Sequence, residues 1–158
     1  MYNSIPVGLG EVKFSDDPSE VLVAFGLGSC LGISIYDPET GKTGLLHAVL
    51  PINNNNDLLS PKFVDSGIQA LVEEFTKMGI DVRKVVIKIV GGATMLVTSG
   101  LTFDIGERNI LAAKDFMEKQ KLVISFNNVG GNIGRTMRIY VDDGRVTVRS
   151  IGAPEKEI

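Results

Sequence analysis

The chain of 158 residues has one cysteine, one histidine and no tryptophan. A single cysteine, Cys30, excludes an internal disulfide and agrees with a reducing compartment. One histidine and one cysteine cannot supply the nitrogen and sulfur ligands of a zinc centre, and the carboxylates show no clustered ligand spacing, so no metal and no cofactor is expected. No apolar run reaches membrane-spanning length. The N-terminus lacks the basic start and long apolar stretch of a secretion signal, so the expectation is a cytoplasmic protein without membrane insertion. The 16 basic and 19 acidic residues leave a net charge of −3. They form no basic block and no interleaved aromatic and arginine pattern, which argues against a nucleic-acid partner.

What is present is an ordinary globular composition, 44% apolar and 22% charged, with 18 glycines that point to many turns. The length fits a single domain over residues 1–158 with a sizeable core. Along the chain, Val7 to Phe14, Val21 to Phe25, Leu31 to Tyr36 and Lys42 to Leu50 read as strands. Asn53 to Asp57 is a polar loop. Ser60-Pro61 marks a helix start, followed by Val64, Ile68, Leu71, Val72, Phe75 and Met78 at helical spacing and a stop at Gly79. Val85 to Val90 is a β-branched run expected to be buried on both faces. Asn109 to Lys119 forms a second amphipathic helix, and Leu122 to Phe126, Thr136 to Val141 and Val146 to Ile151 are three more strands. The polar tail from Ala153 to Ile158 is expected to be mobile. Many strands and two helices predict an α+β fold, with sheets packed together and helices on the outer faces.

The two rare residues converge. Asp37-Pro38-Glu39-Thr40-Gly41 has proline and glycine where a tight turn needs them. If Pro38 to Gly41 form the loop, Asp37 pairs with Lys42, Gly32 stands opposite His47, and Cys30 stands opposite Val49. Cys30 and His47 are then diagonal neighbours on one face, roughly 7–8 Å apart at the backbone. A slip of one residue would separate them. Alone, a free cysteine is usually a small buried hydrophobe and a strand histidine a satisfied structural residue. Together they have the form of a nucleophile and its base. Gly26-Leu27-Gly28 before Ser29-Cys30 leave backbone open to a substrate, so the N–H groups of Ser29 and Cys30 are candidate oxyanion donors, although glycines also serve tight corners. Gly130-Gly131-Asn132-Ile133-Gly134-Arg135 matches a phosphate cradle poorly and reads better as a bend between strands. Arg108, Asn109 and Arg135 are explained as readily by an exposed helix start or a surface ion pair as by a role in orienting loops.

Five segments together are more specific: Gly26-Leu27-Gly28-Ser29-Cys30, His47-Ala48-Val49-Leu50-Pro51, Gly91-Gly92-Ala93-Thr94-Met95, Ile105-Gly106-Glu107-Arg108-Asn109 and Gly130 to Arg135. In their order and spacing the chain resembles the CheD family of chemoreceptor glutamine deamidases. The resemblance implies a β-sandwich with outer helices, similar to the deamidase domain of cytotoxic necrotizing factor toxins. It implies Cys30 as nucleophile and His47 as general base and acid. The implied substrate is a glutamine in the cytoplasmic region of a chemoreceptor, a methyl-accepting chemotaxis protein, and the implied partner is the phosphatase CheC. A regulatory CheC-binding protein and another cysteine hydrolase, such as a peptidase, are the alternatives. The chain departs from the family pattern at Ala24, where a threonine normally helps to complete the site, and at Asn128, where an acidic residue often precedes the glycine pair. Without that threonine, a backbone carbonyl or another side chain has to orient His47.

Overall fold

A computed structural model describes residues 1–55, 58–94, 97, 98, 101, 102 and 104–158. Asn56, Asp57 and Met95, which belong to segments singled out above, lie outside the described residues. The elements run β1 (Asn3–Pro6), β2 (Val12–Ser15), β3 (Glu20–Leu27), β4 (Leu31–Tyr36), β5 (Thr43–Ala48), α1 (Val64–Lys77), β6 (Val86–Gly91), β7 (Val97–Thr98), β8 (Leu101–Thr102), α2 (Ile105–Gln120), β9 (Ser125–Val129), β10 (Arg135–Tyr140), β11 (Val146–Ser150) and β12 (Lys156–Glu157). One sheet has the order β1-β3-β10-β11-β12 and a second the order β2-β5-β4-β6-β9, while β7 and β8 pair with each other. The β1–β3 and β6–β9 pairs are parallel and the remaining neighbours antiparallel. The fold is therefore α+β with mixed sheets.

Alternation along the strands builds two apolar layers. Leu22, Ala24, Leu27, Met137, Ile139 and Val148 of the first sheet meet Leu45 and Val90 of the second, with Cys30 in the same layer. The opposite side of the second sheet, through Leu31, Ile33, Ile35, Leu46 and Ile89, packs on Ile68, Leu71 and Phe75 of α1 and Ala113 and Met117 of α2. Burial of a side chain such as Phe75 or Leu71 contributes about 1.5–3 kcal/mol each. Both helices thus cover the outer face of the second sheet. The expectation of helices on the outer faces is corrected to one face only: the periodicity shows that each helix has an apolar stripe but not which sheet receives it. No helix among the described residues is long and apolar enough to cross a membrane.

Three other expectations change. The run from Val7 to Phe14 is not one strand: β1 ends at Pro6 before the run begins, the chain turns at Gly10, which has φ +71°, and only Val12 to Phe14 of the run lies in a strand, β2. Helix α1 begins at Val64 rather than at Ser60-Pro61, and Ser60 instead accepts the Ser66 hydroxyl through its carbonyl. The tail expected to be mobile is an edge strand. Lys156 and Glu157 pair with Val148 and Thr147, the Ile158 N–H donates to the Val146 carbonyl at 3.0 Å, and Lys88 Nζ donates to the Ile158 carbonyl at 2.7 Å. Polarity suits an exposed edge as well as it suits disorder, since an edge strand needs only its backbone paired.

Candidate active site

The register of the β4–β5 hairpin is the one expected, with Gly32 opposite His47 and Leu31 opposite Ala48. The Asp37 N–H donates to the Lys42 carbonyl at 2.9 Å and the Gly41 N–H to the Asp37 carbonyl at 2.8 Å, closing the four-residue loop. His47 turns its own backbone toward β2: its N–H donates to the Glu11 carbonyl at 2.9 Å, and its carbonyl accepts the Gly10 N–H at 2.8 Å. Gly32 and His47 are therefore a non-hydrogen-bonded pair of the hairpin, the closer of the two antiparallel spacings. A Cβ on Gly32 would lie 2.6 Å from Met137 Sδ and 2.9 Å from Leu27 Cδ1, so this face looks toward the first sheet. Cys30 belongs to the same inter-sheet layer.

His47 is 2% exposed, and its Nδ1 lies 2.9 Å from the Val7 carbonyl oxygen. A carbonyl can only accept, so this contact assigns the proton of the neutral ring to Nδ1 and leaves the lone pair on Nε2. Nε2 is buried and has no hydrogen-bond partner among the described residues. Of the two alternatives left open by Ala24, a backbone carbonyl or another side chain, the group found on Nδ1 is the carbonyl of Val7, just beyond β1. The segment from Val7 to Glu11 holds both the ring and the backbone of His47. Ala24 is fully buried opposite Met137.

Cys30 ends the Gly28-Ser29-Cys30 corner that carries the chain from β3 in one sheet to β4 in the other. Three successive carbonyls of this corner are tied down on one side. Gly28 accepts the Ala93 N–H at 2.9 Å, Ser29 accepts Asn109 Nδ2 at 2.9 Å, and Cys30 accepts the Gly92 N–H at 2.9 Å. The N–H groups of Ser29 and Cys30 donate to no other described residue. Burial pushes the Cys30 thiol above its ordinary range, while its own backbone N–H pulls it down to a lesser extent. The resting side chain is accordingly a thiol. Beside the corner opens a cleft of about 270 Å³ lined by Gly26, Gly28, Gly134, Arg135, Arg149 and Ile151, among others.

Close backbone approach makes this arrangement possible. A Cβ on Gly91, which has φ +110°, would lie 2.3 Å from the Cys30 carbonyl oxygen. One on Gly106 would lie 2.3 Å from the Ala93 carbonyl oxygen, so the first turn of α2 rests on the 92–93 backbone and brings Asn109 to the corner. Asn109 is fully buried; its Nδ2 also donates to the Val49 carbonyl at 3.0 Å, and its Oδ1 has no partner among the described residues. Arg135 Nη1 donates to the Gly91 carbonyl at 3.4 Å and to the Asn128 side chain at 3.3 Å, and the guanidinium also binds the Asn128 and Gly130 carbonyls. The Gly130 to Gly134 segment is the bend between β9 and β10, held by this arginine.

The family described as CheD chemotactic sensory transduction matches residues 49–150. The chain belongs to the CheD family. Among its relatives is the probable chemoreceptor glutamine deamidase CheD of Caldanaerobacter subterraneus subsp. tengcongensis, 40% identical with 96% of each chain covered. Proteins with the same name from Symbiobacterium thermophilum and Clostridium kluyveri are 35% and 37% identical, covering 96% and 98% of this chain and 95% and 97% of their own.

In this CheD-family chain the described parts of the five segments meet around one corner. Gly26 to Cys30 forms the corner, Val49 follows His47, Gly91 to Ala93 receive the corner's carbonyls, Asn109 ties Ser29 to Val49, and Arg135 holds the Gly91 end. The sequence left Asn109 between an exposed helix start and a role in orienting loops; it is fully buried and holds two carbonyls, which corrects the exposed reading. Asn109 was visible within a motif, and its helical spacing among Ile110 and Ala113 signalled an inward face, but its two partners were not readable. Val7 contributes only a carbonyl oxygen and leaves no side-chain signal. Arg108, by contrast, makes the surface ion pair expected, to Asp104 at 3.0 Å.

Proposed function

We propose that this protein is a protein-glutamine deamidase, with Cys30 as nucleophile and His47 as general base and acid, acting on glutamine side chains in the cytoplasmic region of a chemoreceptor. The names of its relatives support the reaction and the substrate class. The observation that carries the residue assignment is the Nδ1 contact of His47 with the Val7 carbonyl, which leaves a free Nε2 lone pair on the face shared with Cys30. The reading extends to the architecture, as a single CheD-like domain of the kind found in cytotoxic necrotizing factor toxins.

The chemistry follows from the tautomer. Nε2 takes the Cys30 proton as Sγ attacks the side-chain carboxamide carbon of glutamine. The imidazolium that forms keeps its Nδ1–H on the Val7 carbonyl, now as a stronger, charge-assisted bond. The carboxamide oxygen gains the negative charge, and the Ser29 and Cys30 N–H groups are the donors available to it. His47 returns the proton to the nitrogen, the C–N bond breaks and ammonia leaves, giving a thioester. Water, deprotonated by His47, adds to the thioester; Sγ departs, regains its proton, and glutamate remains.

The test is incubation with receptor cytoplasmic fragments and mass-spectrometric mapping of glutamine-to-glutamate conversion, with Cys30→Ala as control. Conversion by the wild type that disappears in the variant is expected. Conversion that survives in Cys30→Ala removes the nucleophile, and CheC binding by a wild type that converts nothing makes the protein a regulatory partner.

A further inference from the structure

Ser29 and Cys30 share one peptide unit, and a trans peptide is planar, with its C=O and N–H pointing in opposite directions. Whatever grips the Ser29 carbonyl therefore also aims the Cys30 N–H. That grip is the Asn109 amide, at 2.9 Å from the Ser29 oxygen, in a fully buried side chain. The second Nδ2 hydrogen reaches the Val49 carbonyl at 3.0 Å, two residues beyond His47. Two carbonyl acceptors on one nitrogen settle which end of the amide is Nδ2. The neighbouring carbonyls of Gly28 and Cys30 are held by backbone donors, Ala93 and Gly92. The peptide carrying the Cys30 N–H is the one whose orientation depends on a side chain.

We infer that Asn109 is a positioning residue of the deamidation reaction: it fixes the Ser29–Cys30 peptide so that the Cys30 N–H meets the developing oxyanion, and it ties that peptide to the strand bearing His47. This rests on the deamidase reading. Two effects act together. The hydrogen bond at the Ser29 oxygen removes rotational freedom of the peptide, and it polarises the same peptide so that its N–H becomes a better donor. Because the oxyanion exists only in the transition state and intermediate, the benefit belongs to kcat rather than to substrate binding.

The test uses the full chain and a receptor fragment, with Asn109→Ala and Asn109→Asp assayed against wild type and with the folded fraction of each measured by circular dichroism. Removal of an oxyanion donor costs about 10²–10³ in kcat, and a donor left in place but no longer aimed costs part of that, so a fall of about tenfold to a hundredfold with KM nearly constant is expected. Asn109→Asp adds a readout that a purely structural role does not move. Its carboxylate cannot donate to the Ser29 carbonyl, whereas its protonated form can. The variant-to-wild-type ratio of kcat is therefore highest at low pH and falls as the buried carboxyl ionises. A rise in KM at constant kcat, a pH-independent ratio, or loss of activity only in proportion to the unfolded fraction overturns the inference. If the wild type itself fails to convert glutamine, the deamidase reading fails instead.

Discussion

Gly91→Ala is the substitution whose consequence the geometry specifies most closely. The new Cβ starts 2.3 Å from the Cys30 carbonyl oxygen, an approach real Cβ atoms essentially never show, and the residue keeps φ +110°. Bringing the contact to 3.0 Å requires the two backbones to part by about 0.7 Å. The displaced carbonyl accepts the Gly92 N–H, so that hydrogen bond weakens too. Strain at an unfavourable φ costs about 1–3 kcal/mol and a compromised hydrogen bond about 0.5–1.5 kcal/mol, giving a loss of about 1.5–4.5 kcal/mol. Gly41→Ala is the control, since Gly41 has φ +81° and nothing within 4 Å of an added Cβ, and it reports the backbone cost alone. Urea unfolding should place Gly91→Ala well below Gly41→Ala in stability. The folded Gly91→Ala protein should also lose deamidation by about 10²-fold, because a shift of about 1 Å at a reacting group has that effect. Equal stability of the two variants together with full activity of Gly91→Ala would refute the reasoning.

The proposed nucleophile and base allow further checks. Burial raises the Cys30 pKa, so the thiolate is scarcer at neutral pH than in a free cysteine and accumulates only above the ordinary thiol midpoint. Iodoacetamide labelling at pH 7 should be slower than that of free cysteine and should climb at higher pH, whereas faster labelling would show a thiolate–imidazolium pair already formed. Nitrogen NMR of His47 should show the neutral ring protonated at Nδ1; an Nε2–H tautomer contradicts the assigned base. Ala24→Thr inserts a larger, polar side chain into a fully buried position and should destabilise by about 1–3 kcal/mol. It should leave kcat within a few-fold, because the Val7 carbonyl already holds Nδ1; a tenfold gain would show that this carbonyl is insufficient.

Local signals carried the hairpin and non-local ones hid the rest. Asp37-Pro38 and Gly41 fixed the loop, and a period of two then determined which residues share a face, which is why the pairing of Gly32 with His47 could be read in advance. The turn at Gly10 was missed because the apolar residues on both sides continue the strand pattern. The placement of both helices on one sheet depends on crossovers between sheets, which periodicity does not encode. Asn109 and Arg135 act on carbonyl oxygens of residues far along the chain. A carbonyl is common to every residue type, so no composition reveals it.

The hydrogen bond from Asn109 to Ser29 spans 80 positions of the chain, and that from His47 to Val7 spans 40. Closing such long loops comes at an entropic cost before the contacts reward it, so these links form with the whole fold rather than ahead of it. During synthesis, the thiol emerges long before the helix that aligns its peptide. On the proposed assignment, a partly made chain thus carries its nucleophile without the residue that aims the neighbouring N–H, and the site is complete only once α2 seats against the 92–93 backbone.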